Sequence, residues 1–374
     1  MVVTNAIKPQ RLEPLQFPTK DRSDSRVRLI LCWDSGPVRI EGLTITNGLA
    51  VNDPAAGGIY AARNSHPIVS GCIISNNSGG VGAGINAANG ATIVDSQILN
   101  NSSSYVSAAG AGIVCGDCEV TRCVIRGNTC SGDPGCLGAG IAAANARITD
   151  CWIEGNIATG NVSAAGGGIC ARGGTTIERC TFLNNSSYAA FTNSGGWGGA
   201  VYAVVPTADL GPVAITECIF VGNSATFGAA IVSEPGKTIL PVEVMSCTLV
   251  GNDGGGGVGG IYLDNGAVNS TIIAMNEGYA TNGSAVFSCT SIYGNTLGDE
   301  IVGVDGGGNI SLDPQFCAVD PVQSLRFTLQ EDSPCAPGNE PNISCGLMGA
   351  APVDCGIVAI KKSDWGEVKS LFRR

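Results

Sequence analysis

Five charged side chains recur at one position of a repeated pattern: Asp95, Arg122, Asp150, Arg179 and Glu217. Carboxylates gathered in this way can hold Ca²⁺, and an arginine beside them can take a proton next to a sugar carboxyl, as in polysaccharide lyase chemistry. Two carboxyl groups converging on a glycosidic bond would instead hydrolyse it. The signs, however, alternate along the chain. Opposite charges on neighbouring rungs pair with one another and neutralise the site that a divalent cation needs. The five are therefore read as a structural charge ladder, and no catalytic residue is assigned. A second candidate is "CGDC", Cys115 to Cys118, which has the spacing of a redox or zinc motif. The cysteines take positions held by alanine elsewhere in the pattern (Ala87 and Ala143, Ala91 and Ala146), so they read as small inward residues or a local staple. The single histidine, His66, precedes Pro67 in a turn and reads as a solvated loop residue. Neither a metal nor a cofactor is expected.

The element that must position these residues is a repeat. An apolar residue, a cysteine, serine or threonine three on, an apolar residue two further and asparagine after three more recur nine times. The units begin at Val69, Ile93, Val120, Ile148, Ile177, Ile215, Val244, Val268 and Phe287. Between them stand two small residues before Ile or Val, as in "GAGI" ending at Ile85, Ile113 and Ile141. Short alternating runs broken by Gly, Asn, Asp and Ser spell strands and turns. A period near 28 residues makes them coils of a solenoid, stacked about 4.8 Å apart as parallel strands. The expected fold is all-β, a single-stranded right-handed parallel β-helix of about nine or ten coils, with a loop-rich C-terminal segment and a short C-terminal helix.

Stacking explains why one register keeps one residue type. Asn77, Asn101, Asn128, Asn156, Asn185, Asn223 and Asn252, continued by Asn276 and Asn295, form a ladder whose amides bond along the stack, at a corner whose left-handed backbone asparagine tolerates. Cys72, Cys123, Cys151, Cys180, Cys218 and Cys247 form a second ladder. Ser96, Thr271 and Thr290 fill the same slot, so these cysteines are expected to be free thiols packed as small hydrophobes. Cys130 and Cys136, at the ends of the turn-rich "CSGDPGC", are disulfide candidates, with Cys317, Cys335, Cys345 and Cys355 where regular coils fade.

The residues that carry the pattern also resemble known families. "FLNN" (182–185), "FVGN" (220–223) and "GGAV" (198–201) are similar to the repeats of polymorphic outer-membrane proteins. "IEGLTITNG" (40–48) and "SGCIISNN" (70–77) resemble more closely the secreted bacterial right-handed parallel β-helix repeat proteins, whose fold is like that of pectate lyases. "DPQF" (313–316), "RFTL" (326–329) and "SPC" (333–335) resemble the segment that closes such repeats. The resemblance covers about residues 38–350 and implies a fold; the family is functionally mixed, so the implied activity is open.

The boundaries expected are an N-terminal segment 1–37, repeats 38–310, a closing segment 311–355 and an amphipathic basic tail 356–374. In the tail Trp365, Val368, Leu371 and Phe372 share one helical face, and Lys361, Lys362, Lys369, Arg373 and Arg374 flank it. The first twenty residues lack the apolar stretch of a secretory signal, and the reading taken is a chain truncated ahead of its first regular coil. No transmembrane segment is visible. A net charge of −11 argues against nucleic acid. Cysteine-rich closing loops argue for a secreted or cell-surface setting.

Two features suit binding. The outward position four after the first apolar residue reads Ile73, Gln97, Val124, Trp152, Thr181, Ile219 and Thr248, which calls for a covering loop or an interface. The longest insertion, 186–214, carries Tyr188, Phe191, Trp197 and Tyr202. These suit self-packing of a long loop, the favoured reading, or sugar stacking and protein contact, and with Trp152 they are the candidate binding residues. The function expected is an adhesin-like surface or matrix scaffold that binds carbohydrate or a surface protein. A lyase or glycoside hydrolase acting on acidic polysaccharide is the alternative, and a filament subunit joined through its coil ends is a third.

Overall fold

The computed structural model describes residues 26–355, apart from 28, 34–36, 51–55, 63–64, 105–107, 191–195, 206, 208–209, 234–235, 237–239 and 318–326. The short C-terminal helix expected within 356–374 therefore lies outside the described residues. All regular structure within them is β. One coil shows the plan: Ile141–Ala144, Arg147–Thr149 and Trp152–Glu154 form three walls, and Ile157–Gly160 and Ser163–Ala165 form a longer turn back to the next coil. The first wall runs from Ile30–Trp33 to Glu277–Gly283 and is ten strands deep. The second runs from Arg39–Glu41 to Val304–Asp305 and has eleven strands. The third runs from Thr44–Thr46 to Ser291–Tyr293 and has ten, in line with nine or ten coils. Neighbouring coils pair in parallel, as Val124–Arg126 does with Trp152–Glu154.

Each wall strand turns its middle or alternate residues inward. On the third wall Ile98, Ile125, Ile153, Phe182, Phe220 and Leu249 are fully buried in one column. Phe182 and Phe220 stack 4.7 Å apart and 6° from parallel, as like residues on successive rungs must. The "GAGI" glycines have a steric reason. A Cβ on Gly112 would stand 2.5 Å from the Gly140 carbonyl and 3.1 Å from the Asn128 side chain, so only glycine lets the first wall pass the asparagine corner.

The asparagine column is buried and bonded along the solenoid axis. Asn128 Oδ1 accepts both the backbone N–H and the Nδ2 amide of Asn101, each at 3.0 Å. Asn128 Nδ2 in turn donates to Asn156 Oδ1 at 2.9 Å and to the Ile98 carbonyl at 3.0 Å. The column begins at Asn77, which accepts from Gly48 N, and ends where Asp299 Oδ1 accepts from Asn295 in place of another asparagine. The left-handed backbone is not on the column itself. It falls on the preceding residue, Asn76, Asn100, Gly127, Gly155, Asn184, Gly222 or Gly251, because the chain must reverse before the side chain can turn inward.

Residues 311–317 and 327–355 fold back over the outer side of the third wall. Phe316, Phe327, Leu329, Cys335 and Met348 form a second apolar cluster with Val221, Val250, Ile272 and Ala274. Gly349 N donates to the Ser270 carbonyl at 2.7 Å and Ala350 N to Thr248 Oγ1 at 2.9 Å. Disulfides Cys289–Cys345 and Cys317–Cys355 fasten them.

Candidate functional site

The corner between the second and third walls carries the charges. Asp95, Arg122, Asp150, Arg179 and Glu217 all have positive φ, between 50° and 55°. Their side chains leave the solenoid there, and the register sets them one above the other. Arg122 Nε and Nη2 donate to the two oxygens of Asp95 at 2.7 and 2.8 Å. Arg179 Nε and Nη2 do the same to Asp150 at 2.8 and 3.1 Å, and Arg179 also pairs with Glu178. The ladder is thus two forked pairs. Those hydrogen bonds hold the Asp95 and Asp150 carboxyls below the ordinary carboxylate range and push both arginines up.

A carboxyl with a lowered folded-state pKa contributes stability above its unfolded pKa, and that contribution is lost as pH falls through the lowered value. Arg122→Glu is therefore expected to cause a small, salt-sensitive drop in melting temperature at neutral pH, since exposed pairs are screened. Adding Asp95→Lys, which restores an opposite-charge pair between positions 95 and 122 and leaves Asp150 forked to Arg179, should recover much of it. A drop that salt leaves unchanged would count against ion pairing.

The cysteine column faces inward, and Cys72, Cys123, Cys151, Cys180, Cys218 and Cys247 are free and buried. Each donates to backbone carbonyls, Cys123 Sγ to Thr121 O at 3.4 Å and to Ile93 O at 3.6 Å. Cys180 Sγ accepts the Cys151 N–H at 3.5 Å, a role that a hydroxyl can fill. Ser96 Oγ takes the Cys72 N–H at 3.1 Å, the role that Cys218 Sγ plays for Cys180 N. Burial, above all, pushes the Cys180 and Cys218 thiols well above the ordinary value. These thiols should ignore maleimide in the folded chain at pH 8 and all six react once it is unfolded; rapid labelling without unfolding would contradict their burial.

The disulfides need one correction. Cys130–Cys136 and Cys115–Cys118 close locally. Cys335, a disulfide candidate by sequence, is free and fully buried in the second apolar cluster, where burial pushes its thiol up to about 11. Cys345 pairs instead with Cys289, which occupies the left-handed corner position filled elsewhere by Asp95 or Arg122.

The aromatic candidates separate. Trp197 stacks on Phe227 at 4.5 Å and lies 6.3 Å from Tyr262, and Tyr202 is buried beside them against the first wall. These pack on one another and do not offer a binding platform. Phe191 lies outside the described residues. Tyr188 alone presents its ring, 51% exposed. It follows Ser131 and Thr159 on adjacent strands, and with Asp133 and Asn161 they line an open groove. Ile157 and Val162 are exposed on the same turns. A second depression, by Asp117, Glu119, Asn145 and Arg147, is internally bonded: Asn145 Nδ2 donates to Asp117, and Arg147 pairs with Glu178 at 2.9 Å.

Trp152 sits on the outer third wall. Its Nε1 donates to Glu154 Oε2 at 2.9 Å, and Arg126 lies 4.0 Å from the same oxygen. The outward column containing Trp152 divides. Thr248, Ile272 and Ser291 are covered, Ile219 packs against the closing segment, and Ile73, Gln97, Val124, Trp152 and Thr181 remain open to differing degrees. Sequence reasoning missed the aromatic partners Phe227 and Tyr262, the column's terminal Asp299, and Cys289. A carboxylate four residues after the last ladder asparagine was the available signal for Asp299.

The family described as right handed beta helix region matches residues 81–274. No curated protein and no solved structure matches the chain.

Proposed function

The chain belongs to the right-handed β-helix family, and from that premise we propose that it is an extracytoplasmic surface or matrix scaffold that binds carbohydrate. The observation that carries this reading is the Tyr188 groove. An exposed aromatic ring stands on a rigid stack beside an amide, Asn161, and a carboxylate, Asp133. Sugars present both an apolar face that stacks on such a ring and hydroxyls that such polar groups bond. Four disulfides favour an oxidising setting, and the net charge of −11 disfavours polyanions.

The lyase reading finds less support. Arg122 and Arg179, the bases it would need, are each forked onto a carboxylate and held in the charged form. A neutral base is what proton abstraction requires. Calorimetric titration with neutral and acidic oligosaccharides tests the proposal. Binding to wild type that weakens about tenfold or more in Tyr188→Ala, the scale of one lost aromatic contact, supports it. Binding that Tyr188→Ala leaves unchanged overturns the groove assignment.

A further inference from the structure

The groove beside Tyr188 is one register repeated on three successive rungs. Ser131, Thr159 and Tyr188 stand on the strands Thr129–Gly132, Ile157–Gly160 and Ser186–Ala189, each paired with its equivalent on the next. Two rung steps, about 10 Å, separate Ser131 from Tyr188. One position further on, Gly132 and Gly160 leave the backbone bare of side chains. The turns beyond are held in place. Pro134 O accepts from Val162 N and Ser163 N at 2.9 and 3.1 Å, and Cys130–Cys136 closes the loop that carries Asp133. Asp133 therefore stands at the first rung of the groove and the Tyr188 ring at the third.

Asp133 is unlike the outward acids elsewhere on these coils. Asp95, Asp150, Glu154 and Glu178 each lie within 4.0 Å of an arginine. The Asp133 side chain is exposed and has no hydrogen-bond or ion-pair partner among the described residues. Neither lysine nor arginine occurs in 129–137, 157–165 or 186–197, so nothing on these turns offsets its charge. Taking the groove as the carbohydrate site, we propose that its ligand is a linear chain of amino sugars laid along the solenoid axis. A protonated amine meets Asp133 on the first rung, and a ring face stacks on Tyr188 on the third. An unneutralised carboxylate in a groove without cations favours a positive group over a neutral or acidic one. The rung step favours rings over a basic peptide. An extended peptide turns side chains to one face every two residues, about 6.7 Å, out of step with rungs about 4.8 Å apart, whereas linked sugar rings advance by about one rung each.

Calorimetric titration of the full-length protein compares the trisaccharides of glucosamine and of N-acetylglucosamine, identical in linkage, at a mildly acidic pH where the free amines are charged. Wild type should bind the glucosamine trimer about three- to fivefold more tightly, the scale of one exposed ion pair, and added salt should shrink that preference. Asp133→Asn should abolish the preference and leave the N-acetylated trimer unaffected, while Tyr188→Ala should weaken both. Glucosamine alone, too short to reach from Asp133 to Tyr188, should bind about tenfold more weakly than its trimer, the scale of one lost aromatic contact. Equal affinity for the two trimers, or a preference that Asp133→Asn leaves intact, overturns the amino-sugar ligand, although Tyr188-dependent binding of either trimer would still uphold the groove as a carbohydrate site. Trilysine bound as tightly as the glucosamine trimer would mark a peptide site and overturns it too.

Discussion

Ile153→Asp should leave no folded solenoid at room temperature. Ile153 is fully buried, with Ile125 on one rung below and Phe182 on the rung above, in the same inward column. A carboxylate there meets only hydrocarbon, and the column gives it no donor. Leaving a charge buried and unpaired costs about 5 kcal/mol or more, comparable with the whole stability of many domains. Each coil rests only on its neighbours, so damage in the middle breaks the stack into two unsupported halves. Ile153→Val, which keeps the shape and loses one methylene, should cost about 1 kcal/mol. Circular dichroism melts of the two variants separate these outcomes; a wild-type melt for Ile153→Asp would mean that this side chain is not in the core.

Asn128→Ala should be the next most damaging change, at about 2–5 kcal/mol. The loss is not one contact. Asn101 loses the acceptor for both its backbone N–H and its amide, and the Ile98 carbonyl loses its side-chain donor. All three groups are buried, and each orphaned group carries its own desolvation penalty. Asn128→Asp should be nearly as harmful, because a carboxylate accepts from Asn101 but cannot donate to Asn156 Oδ1. At the end of the column the demand differs. Asp299 has only to accept, from Asn295 and Gly294, and a carboxylate suffices there. Denaturant titrations of Asn128→Ala and Asn128→Asp measure this, and a change below about 0.5 kcal/mol in both would contradict the buried ladder.

The repeat was legible because stacking copies a physical requirement from coil to coil. Wherever an amide must bridge two rungs, the sequence shows Asn; wherever a small inward group fits, it shows Cys, Ser or Thr. The same logic misplaced the left-handed residue. "NN" at 76–77, 100–101 and 184–185 offers two asparagines, and only "GN" at 127–128 and 155–156 reveals that the first of the pair makes the turn. What does not repeat was not readable. Residues 311–317 and 327–355 cover the third wall through contacts about a hundred positions apart, such as Ala350 with Thr248. That contact also explains why outward Thr248 and Ile272 are buried on a face that sequence leaves open. Among the aromatics, spacing could not distinguish Tyr188, which is presented to solvent, from Trp197 and Tyr202, which pack against Phe227, Tyr262 and the first wall.

We propose that the solenoid holds a carbohydrate without transforming it. This is tested most directly by incubating the purified full-length protein with an oligosaccharide that it binds and then measuring the ligand's chain length and unsaturation. Undiminished ligand of unchanged length, bound through Tyr188, is the expected result. Shortened chains, whether ending in new reducing sugars or in unsaturated residues, would contradict it.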